Sequence, residues 1–183
     1  MKSYLIFILS ILMTSNLFSH TEIEKELLNQ LNLYRKKKGL ETMSLNSKLS
    51  TVAFYHANYL AKCSSVGHVV HYDKLPHDEE FDISDHIELN ADERAAMYPD
   101  VNMYGEIQYQ VFPIETSASI VTLCKAIIDG FAGSPRHNEI MMTDFEGDER
   151  FKPIVGISVI KVKSKIPGYY EYVVNIDFGV ITP

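Results

Sequence analysis

The amino-acid sequence predicts an α+β domain in which helices cover a mostly antiparallel sheet. Helix-period apolar patterns recur three times between residues 21 and 131, and two β-rich segments joined by a Pro-Gly turn close the chain. The 183 residues are 46% hydrophobic and 22% charged, which is typical of an ordinary globular protein. We therefore expect a single packed domain rather than a disordered or repetitive chain.

The N-terminal residues 1–19 are typical of a secretory signal peptide. Lys2 precedes the apolar run Tyr4–Met13, and small and polar residues follow that run. A membrane-spanning helix needs about 20 apolar residues, whereas the apolar character here ends near Phe18. We expect a secreted or periplasmic protein from which residues 1–19 are removed, leaving a single domain of residues 20–183 without a membrane span.

A first helix is predicted at the start of the mature chain. Thr21 and Glu24 have the spacing of a capping box, in which each residue's side chain bonds the other's backbone N–H. Apolar residues then recur at helical spacing until Gly39, where the pattern stops. Residues 40–45 are expected to form a linker.

A second helix is predicted after this linker. Asn46 or Ser47 can serve as its N-cap, and the apolar pattern ends near Cys63. His56 lies on the apolar face of this helix, so we expect it to be a hydrogen-bonded core residue or a residue at the edge of a cleft.

Negative charge is concentrated in the middle of the chain. The sequence has 24 acidic and 17 basic residues, a formal net charge of −7, and residues 78–93 contain many acids but no Lys or Arg. This excess would repel a phosphate backbone, so a nucleic-acid partner is not expected. A solvated loop explains the segment, because a calcium loop would need alternating Asp or Asn ligands around a central Gly.

A third helix is predicted from Thr116 until Gly133 and Pro135 end it. Its apolar stripe consists of Ile120, Cys124, Ile127 and Phe131. Cys124 has two interpretations: a buried free thiol on this stripe, or a disulfide partner of Cys63, which an oxidising compartment would permit.

The predicted strands lie mainly at the end of the chain. Segments Ile154–Val162 and Tyr169–Phe178 are rich in β-branched and aromatic residues, and Pro167-Gly168 supplies turn chemistry between them. We expect these two segments to form a hairpin. A shorter strand-like segment, Gly105–Val111, precedes the third helix.

The candidate functional residues are three histidines and one glutamate: His68, His71, Glu106 and His137. Imidazole and carboxylate groups suit a divalent cation, and zinc sites commonly use two histidines with a carboxylate. Compact ligand motifs such as H-E-x-x-H are missing from the sequence, as are a serine nucleophile elbow and a phosphate-binding glycine loop. A purely structural, hydrogen-bonded role explains the same residues.

The order of the sequence motifs resembles the CAP or SCP superfamily of cysteine-rich secretory, antigen 5 and pathogenesis-related 1 proteins, in particular its exported bacterial members. The matching segments are Leu28–Arg35, Leu49–Leu60, Tyr104–Ile107, Phe131–Ile140, Val155–Val159 and Val173–Gly179. This resemblance implies a three-layer α-β-α sandwich with a cleft that gathers histidines and glutamates, sometimes around a divalent ion.

The resemblance also assigns roles to individual residues. Glu106 matches the glutamate of the family's G-E-N-like motif, and His137 matches the histidine of its W-x-x-S-x-x-H-like motif. The first cleft histidine is His68 by its distance from the second helix, or His71 by its local context. Phe131 replaces the usual Trp, and the family's second glutamate has no clear counterpart.

The resemblance implies a binding function for this exported protein. Its His/Glu cleft would bind an extracellular small molecule, a lipid or a cell-wall component, with Zn²⁺ or another divalent cation as an optional cofactor. The alternative is a zinc-dependent hydrolase of cell-surface or extracellular substrates. In that enzyme His68 or His71 would hold the metal with His137, and Glu106 would be a ligand or a general base.

Overall fold

The computed structural model describes residues 20–63, 93, 96, 100–115, 117–144 and 151–181. The helices and strands, in chain order, are α1 (Glu22–Lys37), β1 (Ser44–Leu45), α2 (Ser47–Cys63), β2 (Val101–Glu115), α3 (Ile120–Ala132), α4 (Pro135–Met141), β3 (Lys152–Lys163) and β4 (Tyr169–Ile181). The predicted signal peptide, His68, His71 and nearly all of the acidic segment lie outside the described residues.

The strands form one sheet in the order β1-β3-β4-β2. β3 and β4 make the predicted antiparallel hairpin, and β2 pairs antiparallel with the other edge of β4. Gly168 closes the hairpin with a φ of 83°, a left-handed conformation that glycine adopts without strain. The mostly antiparallel sheet is confirmed, with one addition: β1, which falls in the predicted linker, pairs parallel with β3.

Helices cover both faces of the sheet. α2 packs on β3 and β4 on one face, whereas α1, α3 and α4 form a layer on the other. The main hydrophobic core lies between the sheet and this second layer, and its large buried side chains include Leu27, Leu31, Ile107, Ile127, Phe131 and Phe178. The predicted three-layer α-β-α sandwich is therefore confirmed.

Polar contacts fix both ends of α1. The Thr21 backbone N–H donates to the Glu24 carboxylate at 2.8 Å, and the Glu24 N–H donates to the Thr21 hydroxyl at 3.3 Å, which confirms the predicted capping box. Near the other end, the buried Arg35 guanidinium donates to the backbone carbonyls of Glu41, Met141 and Thr143. Arg35 thereby ties α1 to the end of α4.

α3 is shorter than the sequence predicts. It begins at Ile120 rather than Thr116, and Ile120 itself is 40% exposed, whereas Leu123 packs into the core in the first turn. The remainder of the predicted stripe is buried. Cys124 is a buried free thiol whose Sγ lies 3.5 Å from the Ile23 carbonyl oxygen, which agrees with the free-thiol interpretation. The side chain of Cys63 lies outside the described residues.

Candidate functional site

The α2-facing side of the sheet contains a layer of buried polar side chains. In β2, Glu106 and Gln108 alternate with Ile107, whose side chain enters the core on the opposite face. In the strand register, Glu106 lies opposite Asp177 and Gln108 opposite Asn175, so these side chains share one face. The layer comprises Ser50, His56, Glu106, Gln108, Ser158, Asn175 and Asp177, all of them buried.

Glu106, His56 and Gln108 form the centre of this layer, which we call the Glu106 cluster. The His56 Nδ1 atom lies 2.7 Å from Glu106 Oε2, and the Gln108 amide donates to Glu106 Oε1 at 2.7 Å. The His56 side chain is 0% exposed and the Glu106 side chain 2%. Each oxygen of the carboxylate thus accepts a hydrogen bond from a buried group, and an ionised Glu106 requires a proton on His56 Nδ1.

Local sequence explains why α2 delivers His56 to this position. The Asn46 side chain caps α2 by accepting from the backbone N–H groups of Lys48 and Leu49 at 3.0 and 3.1 Å. A Cβ atom at Gly156 would lie 2.2 Å from the Leu49 carbonyl carbon, so only glycine allows the first turn of α2 to approach β3 this closely. His56 follows two turns later, above β2 and β4.

The polar layer continues from the cluster onto the neighbouring strands. The Asn175 amide donates to Asp177 Oδ1 at 3.0 Å, and Ser158 lies opposite Asn175 in the register. Within the described part of the chain, Ser50 Oγ, Ser158 Oγ and Asn175 Oδ1 are buried without a hydrogen-bond partner. The layer therefore retains hydrogen-bonding capacity next to the cluster.

His137 lies in the helical layer on the other side of the sheet. Its ring packs edge-on against Phe131, with 5.4 Å between the ring centroids, and the neighbouring Asn138 side chain accepts from the Tyr34 hydroxyl at 2.6 Å. A Cβ atom at Gly105 would lie 2.6 Å from Ile140 Cγ2, so α4 packs directly on this glycine. Consecutive strand residues face opposite sides, so the Glu106 side chain points away from α4.

The structure therefore pairs Glu106 with His56 and places His137 in a different layer. His68 and His71 lie outside the described residues, and within the described ranges no group of three metal-ligating side chains comes together. Glu106 and His137 do not by themselves supply a metal site in the described residues. A site that also uses His68 or His71 stays a prediction.

Sequence reasoning placed His56 in the core or at the edge of a cleft but did not connect it with Glu106. Sequence reasoning also assigned no role to Gln108, Asn175 and Asp177, although the sequence contains a pattern that points to them. In both β2 and β4 these residues alternate with large apolar ones, a period-two pattern that predicts one polar and one apolar face. Because both patterns lie in buried strands, they indicate a buried polar layer.

Arg35 in α1 and Tyr104 near the start of β2 interact electrostatically, which is a second polar contact to consider. Burial raises the pKa of Tyr104, and burial also lowers the pKa of Arg35, while their mutual attraction partly offsets both effects. Since the Arg35 guanidinium already donates to three backbone carbonyls, we interpret this contact as structural.

Comparison with known proteins connects this architecture to a family. The family model for CAP, the cysteine-rich secretory protein family, matches residues 28–145. Among solved structures, an outer surface protein from Borrelia burgdorferi is 15% identical with a TM-score of 0.55, covering 90% of this chain and 97% of that one. No protein with a curated description matches the sequence.

Two further structures have lower TM-scores and belong to longer chains. An extracellular protein containing an SCP domain from Bacillus anthracis is 13% identical with a TM-score of 0.45, covering 88% of this chain and 40% of that one. A cysteine-rich secretory protein from Staphylococcus aureus is 16% identical with a TM-score of 0.42, covering 85% and 38%. Because the family model matches more than half of the sequence, this chain belongs to the CAP, or cysteine-rich secretory protein, family.

Proposed function

We propose that this protein is an exported CAP domain that acts by binding an extracellular ligand or partner. The observation that carries this proposal is the engagement of Glu106, whose two carboxylate oxygens accept from His56 and Gln108 in a buried environment. A hydrolase would need this carboxylate to reach a metal ion or a reacting water. The observed contacts instead favour a carboxylate that is held in place within the buried polar layer.

The polar layer supports binding in a second way. Buried polar groups usually form hydrogen bonds, yet Ser50, Ser158 and Asn175 each keep one buried oxygen without a partner in the described residues. Because these oxygens are buried, a polar portion of a small molecule, lipid or cell-wall component would reach them only if the overlying residues move aside. His68 or His71 would complete the site from the part of the chain that follows α2.

A divalent cation remains a separate proposal. Glu106 and two histidines have the chemistry that Zn²⁺ accepts, but the described contacts direct Glu106 and His137 to different sides of the sheet. In this proposal His68 or His71 supplies a further zinc ligand.

Export is part of the same proposal. It rests on the signal-like residues 1–19 and on the fold shared with a Borrelia protein that is named an outer surface protein. In the described ranges, no helix has both the length and the apolar character needed to cross a membrane.

Native mass spectrometry after incubation with lipid extracts and cell-wall fragments tests the binding proposal. We expect a bound molecule on the wild-type protein and a weaker signal on Glu106→Gln, which keeps the side-chain size but removes the charge. Lys125→Gln, a neutralising change on the exposed face of α3, is the matched control and should bind like the wild type.

Metal analysis separates this function from hydrolysis. Three results together would favour a zinc-dependent hydrolase over a binding protein. The purified protein would contain about one equivalent of zinc, His137→Ala would lose that zinc, and Glu106→Gln would abolish a measured ester or peptide hydrolysis. No bound molecule from either extract, together with reduced stability of Glu106→Gln, would instead show that the cluster only joins α2 to the sheet.

A further inference from the structure

The distal end of the β3–β4 hairpin carries positive charge on an acidic protein. The formal net charge of the chain is −7, but residues 152–170 contain four lysines and no aspartate or glutamate. Three of the four, Lys161, Lys163 and Lys165, lie at the distal end and are exposed. This part of the hairpin is therefore electrostatically complementary to an anionic surface.

Acidic side chains at this end of the sheet are engaged by hydroxyl groups. Glu171 accepts from the Ser164 hydroxyl at 3.0 Å, and Glu115 accepts from the Tyr169 hydroxyl at 3.2 Å. Glu171 is partly buried and Glu115 is exposed, and the three exposed lysines outnumber these two carboxylates by one.

The turn of the hairpin presents an apolar tip. Ile166 is 49% exposed and precedes the exposed Pro167. The backbone N–H of Ile166 donates to the Ser164 hydroxyl, and the Ile166 carbonyl accepts from the Tyr169 N–H at 3.2 Å. Because these groups bond within the turn, the tip can enter a region poor in water without losing those hydrogen bonds.

Tyrosines lie behind the tip on the same hairpin. The Lys161 ammonium lies 3.7 Å from the centroid of the Tyr170 ring and 6.0 Å from that of Tyr172. Tyrosine and lysine combine an apolar body with a polar end, and both are favoured where an apolar phase meets water.

We propose that this hairpin tip binds a membrane surface containing anionic lipids. Ile166 and Pro167 enter the headgroup region, Lys163 and Lys165 contact lipid phosphates, and the tyrosines lie at the level of the interface. The exposed Ile166 beside Lys165 favours lipid over a dissolved polyanion, because only a lipid surface offers an apolar phase in which to bury this side chain. The surface is separate from the Glu106 cluster.

Vesicle co-sedimentation tests this proposal. The purified protein is mixed with vesicles of phosphatidylglycerol and phosphatidylcholine in equal parts, or of phosphatidylcholine alone. Since a lysine near an anionic surface contributes about 1 kcal/mol, Lys163→Gln/Lys165→Gln should weaken binding to the anionic vesicles roughly 30-fold. Ile166→Ser should also weaken this binding several-fold while leaving retention on a heparin column unchanged.

Lys36→Gln/Lys37→Gln is the matched control, because it removes the same charge from the far end of α1. It should change vesicle binding little, and Glu106→Gln should leave it unchanged, which separates this proposal from the cleft function. All variants share one N-terminus, so any contribution of residues 1–19 cancels. Equal thermal stability of the lysine and Ile166 variants confirms that each is folded, and a cooperative thermal transition confirms this for Glu106→Gln.

Three results would overturn the proposal. The wild-type protein could fail to sediment with anionic vesicles. Both double variants could lose binding equally, which would show an effect of net charge alone. Ile166→Ser could bind the vesicles as tightly as the wild type, which would assign the lysines to a dissolved polyanion instead of a lipid surface.

Discussion

Replacing His56 by leucine should strongly destabilise the protein, because it removes one of the two hydrogen-bonding partners of a buried carboxylate. The His56–Glu106 contact is 2.7 Å long, and the two side chains are 0% and 2% exposed, so water cannot replace the lost partner in the folded state. Breaking a buried pair of this kind by removing one partner costs about 3–5 kcal/mol. For a chain of this length, that corresponds to a fall in melting temperature of roughly 6–20 °C.

Urea denaturation followed by circular dichroism measures this change. His56→Leu/Glu106→Leu should be more stable than His56→Leu alone, because the second substitution removes the uncompensated charge. Lys48→Gln, at the exposed Lys48–Asp100 pair, is the control and should have a much smaller effect. A loss below about 1 kcal/mol for His56→Leu would refute our assignment of a tightly coupled buried pair, as would a double variant that is less stable than the single one.

Three further substitutions or modifications test the fold. Gly156→Ala should lower the free energy of unfolding by at least about 1–3 kcal/mol, since its Cβ would meet the Leu49 backbone. Gly133→Ala is the control and should be tolerated, because a Cβ there makes ordinary contacts at 3.5 Å. Thermal melts in which Gly133→Ala is the less stable variant would contradict the close approach of α2 to Gly156. Arg35→Met should cost about 1–3 kcal/mol in urea denaturation by leaving backbone carbonyls without donors, and an unchanged midpoint would count against this role. Burial raises the pKa of Cys124 to about 12, so its thiolate is scarce at pH 8. Iodoacetamide should therefore label Cys124 only after unfolding. Peptide mapping that finds rapid labelling of Cys124 in the native protein would show that the thiol is accessible.

Local sequence signals predicted most of the secondary structure because they act within a few residues. The capping box of α1, the side-chain cap of α2 and the glycine turn of the hairpin are all present. The failures involve elements without such signals. β1 has two residues and exists through its pairing with β3, and β2 extends from Val101 to Glu115, beyond the predicted Gly105–Val111.

The candidate site shows the same contrast between local sequence signals and contacts made only in the tertiary structure. Sequence reasoning selected Glu106 through its local context and a family resemblance, and His56 through its place on an apolar helical face. Their contact joins residues that are 50 positions apart, so no local pattern could predict it. It depends on how closely α2 approaches the sheet, and therefore on Gly156 in a third element.

Taken by itself, the amino-acid order determined the α+β class, the hairpin, the buried face of each long helix and the family, because periodicity, caps and motifs are encoded in short segments. Tertiary packing decided which polar groups meet. Strand alternation turned Glu106 toward α2 and away from α4, and it thereby paired this carboxylate with His56 while His137 packed against Phe131 in the opposite layer.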